Sequence, residues 1–322
     1  MQLLLTEAAL KRVGDRLRAL APDLDIVTLA PDGTLSRDAA EVDPELYWLS
    51  LDAFGAGLGH FFKHIGQGSR GQWVQTFNAG LDNPVFRILF EKGLRVSKSS
   101  AQAPPIAEYV VAHGISLLHP IAAQQAAQDA REWKRVPFTE IGSSHWLLVG
   151  FGNIGHEIAR RVKGFGAQIT AVRRSAQPDP LVDRMATQAE LPDLLPQADV
   201  VVLACALTDE TRDIANAAFF AAMKPGAILI NIGRGELVDE DALRVGLEAG
   251  RPGFAVLDVF RAEPLPAGSW PWTHPNVRVT AHASNAGNGT LRRGDELFLE
   301  NLRRFRAGEP LLNEASKAEV GL

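Results

Sequence analysis

Short apolar runs alternate with helical stretches from residue 146 to residue 282. The β-rich runs fall at 146–150, 169–172, 200–203, 227–232, 254–258 and 277–280. After the first of them, Ile154, Ile158, Ala159 and Val162 recur at helical spacing and share one face. Asp239 is placed to cap a helix over 240–248 that ends near Gly250. Strands alternating with helices of this length predict an α/β fold with a parallel, doubly wound sheet. Six runs are enough for a full dinucleotide-binding sheet. The first hundred residues also mix strands and helices, with apolar runs at 3–5, 26–29, 47–51 and 73–77, and predict a smaller α/β domain. Ala103-Pro104-Pro105 introduces a long helical segment over 106–133. Past His282, residues 290–306 read as a helix carrying Leu291, Leu297, Leu302 and Phe305. It is too short to fold alone, so it is expected to return to the N-terminal domain. The domains read as 1–102 with 288–322, and 103–287, and the cleft between them is the expected active site.

Composition narrows the class. A chain of 322 residues favours two domains over one, and 46% hydrophobic with 22% charged residues is an ordinary globular balance. Lys and Arg total 33 against 38 Asp and Glu, a net −5, which points to neither nucleic acid nor an anionic membrane as a partner. The single cysteine, Cys205, cannot form an internal disulfide and fits a reducing compartment. The start, Met1-Gln-Leu-Leu-Leu-Thr-Glu, lacks the basic end and long apolar core of a signal peptide. No apolar run approaches the roughly 20 residues a bilayer span needs. A soluble, cytoplasmic protein is the expectation.

Candidate chemistry gathers just beyond the downstream ends of three runs. The run ending at Ile232 leads into Gly233 and Arg234, the run ending at Leu257 into Asp258 and then Glu263, and the last run through Ala281 into His282. Ligands of open α/β sheets bind beyond the carboxyl ends of the strands, so a cation, an acid and an imidazole delivered there suggest a reaction centre. Upstream, Gly150-Phe-Gly152-Asn153-Ile154-Gly155 follows a strand and opens an apolar-faced helix. Its glycines allow a tight turn, close approach to a pyrophosphate and close helix–strand packing, while the helix N-terminus favours phosphate. An acid is usual about 20 residues on, where it meets a ribose 2′-hydroxyl. Here Arg173, 18 residues after Gly155, begins Arg173-Arg174-Ser175 with no carboxylate beside it. A guanidinium fork suits a 2′-phosphate, so NADP(H) is favoured over NAD(H).

Taken with that loop, three further motifs carry a family resemblance: Asn231-Ile-Gly-Arg-Gly-Glu-Leu-Val-Asp239, Leu257-Asp-Val-Phe-Arg-Ala-Glu-Pro-Leu-Pro266 and Asn276-Val-Arg-Val-Thr-Ala-His282. The chain resembles the D-isomer-specific 2-hydroxyacid dehydrogenases over essentially its whole length, most strongly from Trp146 to Ser284. Arg173-Arg174-Ser175 looks like the NADP-preferring glyoxylate and hydroxypyruvate reductases among them. The resemblance implies a Rossmann domain plus a smaller flavodoxin-like substrate domain built from both chain ends. It implies that Arg234 orients the substrate carboxylate, that Glu263 pairs with the catalytic histidine and that His282 donates and accepts the proton. It assigns cofactor contacts to Cys205, Ala206 and Thr211 in one loop, to Ile232 and Gly233, and to Asp258 and Ser284 on the nicotinamide side. Asn78, Ala79 and Gly80 match the substrate loop, and the long helix implies a homodimer. Ala281 departs from the proline usual before the histidine, and Ala206 from another frequent proline.

Reduction of a 2-oxo acid needs a hydride on one carbonyl face and a proton for the developing alkoxide, and an imidazole can supply the latter. A carboxylate beside it favours the charged ring. A guanidinium can hold carboxylate and carbonyl oxygens in a fixed fork. No metal-ligand spacing occurs, and His60, His64, His113 and His119 read as packing or surface residues. Cys205 reads as an apolar filler beside the cofactor. A rival class, a non-catalytic dinucleotide sensor, stays open alongside the 2-oxo acid reductase, as do dehydrogenases of phosphorylated acids, formate or phosphite.

Overall fold

Strand β1 (Gln2–Thr6) is buried from end to end, and its three leucines, Leu3, Leu4 and Leu5, have no exposed surface. Such continuous apolar runs belong to parallel strands covered on both faces. A computed structural model describes residues 1–320 and 322, which divide into two units, Met1–Gln102 with Asn288–Leu322, and Ala103–Gly287.

In the first unit β1 is followed by α1 (Glu7–Leu20), β2 (Asp25–Leu29), β3 (Leu46–Leu49), α2 (Ala56–Gln67), β4 (Trp73–Thr76), α3 (Val85–Glu91) and β5 (Arg95–Ser97). All five strands are parallel in the order β2-β1-β3-β4-β5. That is the flavodoxin-like winding. Strand β5 escapes a reading of apolar runs because Val96 is its only apolar residue.

The second unit runs α4 (Ala103–Leu118), α5 (Ile121–Asp129), β6 (His145–Val149), α6 (Asn153–Lys163), β7 (Gln168–Val172), β8 (Arg184–Ala186), α7 (Leu191–Leu194), β9 (Val200–Leu203), α8 (Ala217–Ala222), β10 (Ile228–Asn231), α9 (Glu240–Glu248), β11 (Phe254–Leu257) and β12 (Val277–Val279). Seven parallel strands lie in the order β12-β11-β10-β9-β6-β7-β8. The strand order reverses between β6 and β9, which places the loop after β6 at the switch point of a Rossmann sheet. Alternation along the strands feeds two cores. Leu147, Val149, Val201, Leu203 and Leu229 face one layer of helices. Trp146, Leu148, Val200, Val202 and Ile230 face the other.

The long helix expected over 106–133 is two helices bent by 56° around His119 and Pro120. Proline removes an N–H and its ring clashes with a carbonyl in the preceding turn, so the first helix stops there. The second ends at Asp129, and Arg131 at φ 56° turns the chain away. At the other end, Pro104 and Pro105 sit inside the first turn of α4, where a missing N–H costs nothing. Strand β8 is the seventh strand; with Arg184 exposed and only three residues it carries no apolar run. Asp239 caps α9 through Asp241 and Ala242 amides. Among the described residues no single helix is long and apolar enough to cross a membrane.

The last helix, α10 (Thr290–Ala307), packs in the first unit. Phe298 stacks on Trp48 and Trp73 with ring centroids 5.0 and 6.0 Å apart. Asn301 donates to Gln75 Oε1 at 2.8 Å, and Asp295 receives Arg12 Nε at 2.7 Å.

Candidate active site

Strand β6 leads into Gly150, whose φ of 108° favours glycine, and a Cβ there would lie 2.4 Å from the Cys205 nitrogen. A Cβ on Gly155 would lie 2.5 Å from the Gly150 carbonyl oxygen, so the first turn of α6 packs directly on the loop. Gly152 differs: a Cβ there would meet nothing within 4 Å. It is also the N-cap of α6, with no side chain capping the helix. Two glycines are thus required by the fold, while the third keeps open space in front of a helix N-terminus. That is the arrangement a pyrophosphate needs. Asn153 and Ile154 form the first turn behind it.

Arg173, Arg174 and Ser175 follow the neighbouring strand β7 and are all exposed. The Arg173 amide donates to Ala186 O at 3.1 Å, which ties its backbone to the end of β8. In the loop after β9, Cys205 is half-buried and burial pushes its thiol up to about 11, so it is neutral at physiological pH and no nucleophile. Ala206 is exposed, and its carbonyl accepts from Thr211 Oγ1 at 2.7 Å. The Thr211 hydroxyl also accepts from the Thr208 amide at 2.8 Å, so this threonine closes its own loop.

Past β10, Asn231 shapes the turn that presents Arg234. Its Oδ1 accepts from the Gly233 amide at 3.1 Å and its Nδ2 donates to Arg234 O at 2.9 Å. Ile232 and Gly233 are buried there. Arg234 is half-buried, extended, and donates from Nη1 to Gly233 O at 2.8 Å. Gly235 has no room for a side chain, because a Cβ would sit 1.9 Å from the Phe260 carbonyl carbon. The arginine turn is therefore pressed against the segment that carries Glu263.

Glu263 Oε1 accepts from the Phe260 amide at 2.9 Å, and its Oε2 lies 2.8 Å from His282 Nδ1. A carboxylate only accepts, so Nδ1 carries the shared proton and exchange with a substrate falls to Nε2. His282 has φ 50°, a left-handed conformation costing a non-glycine residue roughly 1–2 kcal/mol. Asp258 holds it there. The Asp258 carbonyl accepts from the His282 amide at 2.8 Å, Oδ1 from the Ala283 amide at 2.8 Å and Oδ2 from the Ser284 amide at 3.1 Å. Asp258 is fully buried and Ser284 nearly so. The acid expected beside a nicotinamide spends both oxygens on the turn that carries the histidine, as single-strand patterning could not reveal.

Asn78, Ala79 and Gly80 belong to the first unit and follow β4. Thr76 Oγ1 donates to Asn78 Oδ1 at 2.8 Å, and Asn78 O accepts from the Ser99 amide at 2.8 Å. Reading by sequence missed Asn231, Gly235, Thr280 and Tyr109. The first two stand inside a motif whose arginine drew the attention, and the last two are legible only through contacts. Among the described residues no group of three or more His, Cys, Asp or Glu is placed to hold a metal.

A Rossmann sheet with a pyrophosphate-ready loop and a histidine–carboxylate pair beyond its strand ends defines an NAD(P)-dependent oxidoreductase. Residues 111–284 match the family described as D-isomer specific 2-hydroxyacid dehydrogenase, NAD binding domain. The chain belongs to that family and is an NAD(P)-dependent 2-hydroxyacid dehydrogenase acting on small hydroxy or oxo acids. It is 30% identical to the human glyoxylate reductase/hydroxypyruvate reductase, over 82% of this chain and 79% of that protein. A D-isomer specific 2-hydroxyacid dehydrogenase from Xanthobacter autotrophicus Py2, solved with NADPH and MES, is 27% identical, with a TM-score of 0.81 over 99% of this chain and 98% of that one. A protein of the same family from Aeromonas salmonicida is 29% identical, with a TM-score of 0.79 over 98% of both chains.

Proposed function

We propose that this dehydrogenase works as an NADPH-linked reductase of a small 2-oxo acid, of the glyoxylate or hydroxypyruvate kind. The observation that carries this reading is the 2.8 Å contact between His282 Nδ1 and Glu263, set beyond the strand ends of a sheet whose first strand runs into the glycine loop. Bound NADPH supplies the hydride. The chain's own residues do the rest. His282 Nε2 delivers a proton to the developing alkoxide, and Glu263 stabilises the charged ring and fixes its orientation. Arg234 engages the carboxylate and carbonyl oxygens of the substrate and stabilises the negative charge that builds on the latter. Asn78, Ala79 and Gly80 offer backbone groups to the carboxylate. In the oxidative direction His282 Nε2 takes the proton instead.

NADPH is favoured because exposed Arg173 and Arg174 occupy the position of the ribose-binding acid, and a relative was solved with that cofactor. Cys205, Ala206, Thr211, Ile232, Gly233 and Ser284 complete the cofactor surface in this reading, with Asp258 acting beneath it. A non-catalytic sensor would have no need of a tautomer-fixed histidine. The test is a panel of 2-oxo acids run with NADPH and with NADH. Turnover of glyoxylate or hydroxypyruvate with NADPH is expected, and Arg173→Ala should raise KM for NADPH by about tenfold or more while sparing NADH. Binding of NADPH without turnover across the panel would sink the reductase, and an unchanged NADPH preference in the variant would sink the role of Arg173.

A further inference from the structure

A chain of hydroxyls runs beneath the His282 turn, and the chemistry above does not use it. Thr280 Oγ1 donates to Asp258 Oδ1 at 2.6 Å. Tyr109 Oη lies 2.7 Å from the same threonine oxygen. The threonine's one proton goes to the carboxylate, so its oxygen accepts the phenol proton. The direction is therefore Tyr109 to Thr280 to Asp258. Burial pushes the Tyr109 phenol up to about 12, which keeps it a donor at any working pH. Its ring lies 4.3 Å from that of His113, centroid to centroid, on the same helix α4. Burial holds His113 below its ordinary value, so no imidazolium competes for the phenol oxygen at neutral pH. At the far end of the chain, the amides of His282, Ala283 and Ser284 all terminate on Asp258. A histidine at φ 50° persists only where its surroundings over-determine it.

We propose that Tyr109, acting through Thr280 and Asp258, is a positioning residue that locks the turn aiming His282 Nε2 at the substrate. The proposal rests on the reading of His282 as the proton donor. Without the phenol, the Thr280 hydroxyl loses one of the two contacts that fix its rotamer, and its own bond to Asp258 Oδ1, which sets the carboxylate plane, weakens with it. The Ala283 and Ser284 amides then hold a carboxylate free to rock, while the His282 amide stays on the Asp258 carbonyl. The effect belongs on the rate of proton delivery, because no atom of Tyr109 or Thr280 is assigned to substrate or cofactor.

The test uses the full-length chain with Tyr109→Phe, Thr280→Val and Thr280→Ser. Turnover is measured with glyoxylate and NADPH, and hydrogen–deuterium exchange with no ligand on a peptide covering residues 281–286. Tyr109→Phe and Thr280→Val are expected to lower kcat by about 3- to 10-fold, with both KM values within about twofold, and to speed exchange across the turn. Thr280→Ser keeps the hydroxyl and should restore both. Exchange and kcat within about twofold of the parent in Tyr109→Phe would overturn the proposal. So would a lowered melting temperature with turn exchange unchanged, which is what a tyrosine that only pins α4 to the sheet would give. If exchange quickens while His282→Gln turns over like the parent, the catalytic reading fails and the brace stands.

Discussion

Side chains of His282 and Glu263 are 46% and 36% exposed, so the pair is reachable by solvent and by a small acid alike. An ion pair this exposed contributes little to stability, on the order of 0–1 kcal/mol, and its value lies in orientation. Replacing His282 by Gln should therefore leave the melting temperature nearly unchanged while lowering kcat by about 10²- to 10⁴-fold. Glu263→Gln keeps one acceptor oxygen, enough for Nδ1–H or for the Phe260 amide but not for both, so the expected loss is smaller than for His282→Gln, roughly tenfold. Steady-state kinetics with thermal melts of both variants decides the matter. A His282→Gln protein retaining more than about a tenth of parental kcat would remove the histidine from the mechanism. The residues named from the strand ends were legible because each had the chemistry its place demanded. Asp258 was legible as an acid, and its task as the brace of the histidine turn was not.

The β6–α6 element shows how one motif serves folding and binding with different atoms. Gly150 stands at φ 108° against the Ala204 and Cys205 backbone, whereas Gly152 faces open space. Gly150→Ala should destabilise by about 1–3 kcal/mol or more, since both strain and backbone overlap oppose the methyl group. Gly152→Ala should fold normally and bind NADPH about tenfold or more weakly, because the methyl group fills the space a pyrophosphate would take. Thermal melts and fluorescence titration with NADPH separate the two outcomes. A Gly152→Ala protein that binds as the parent does would place the phosphates elsewhere. Element boundaries tell a similar story. The spacing around Ile154 and Ile158 announced α6, but Pro120 inside an otherwise helical pattern was the sign that α4 and α5 had to part.

At the scale of the molecule, the segment following α4 leaves large apolar side chains uncovered. Ile121 and Phe138 are about half exposed, at 52% and 53%, and Trp133 is fully exposed. Tryptophans are frequent anchors of interfaces, and exposed apolar groups that cluster are typical of docking surfaces. We propose that a second copy of this chain covers it, giving a homodimer through 106–133. Sedimentation equilibrium should find the dimer at micromolar concentration, and Trp133→Glu should weaken it by about tenfold or more. A parent protein that stays monomeric at about 100 µM would exclude the pairing.

Local order in the chain was enough to establish the parallel α/β class and to place the glycine loop and three polar residues just past strand ends, because periodicity and turn chemistry act over a few residues at a time. Strands β5 and β8 lay outside that reach, since three residues with little apolar content become strands only when a neighbour offers a free edge. The return of Phe298 to Trp48 and Trp73 was legible only as an amphipathic helix needing a partner. The chain from Tyr109 to Thr280 to Asp258 spans 171 residues between its first two members. No spacing rule connects groups so far apart. Folding alone brought them within hydrogen-bonding distance, and with them the left-handed turn that carries the histidine.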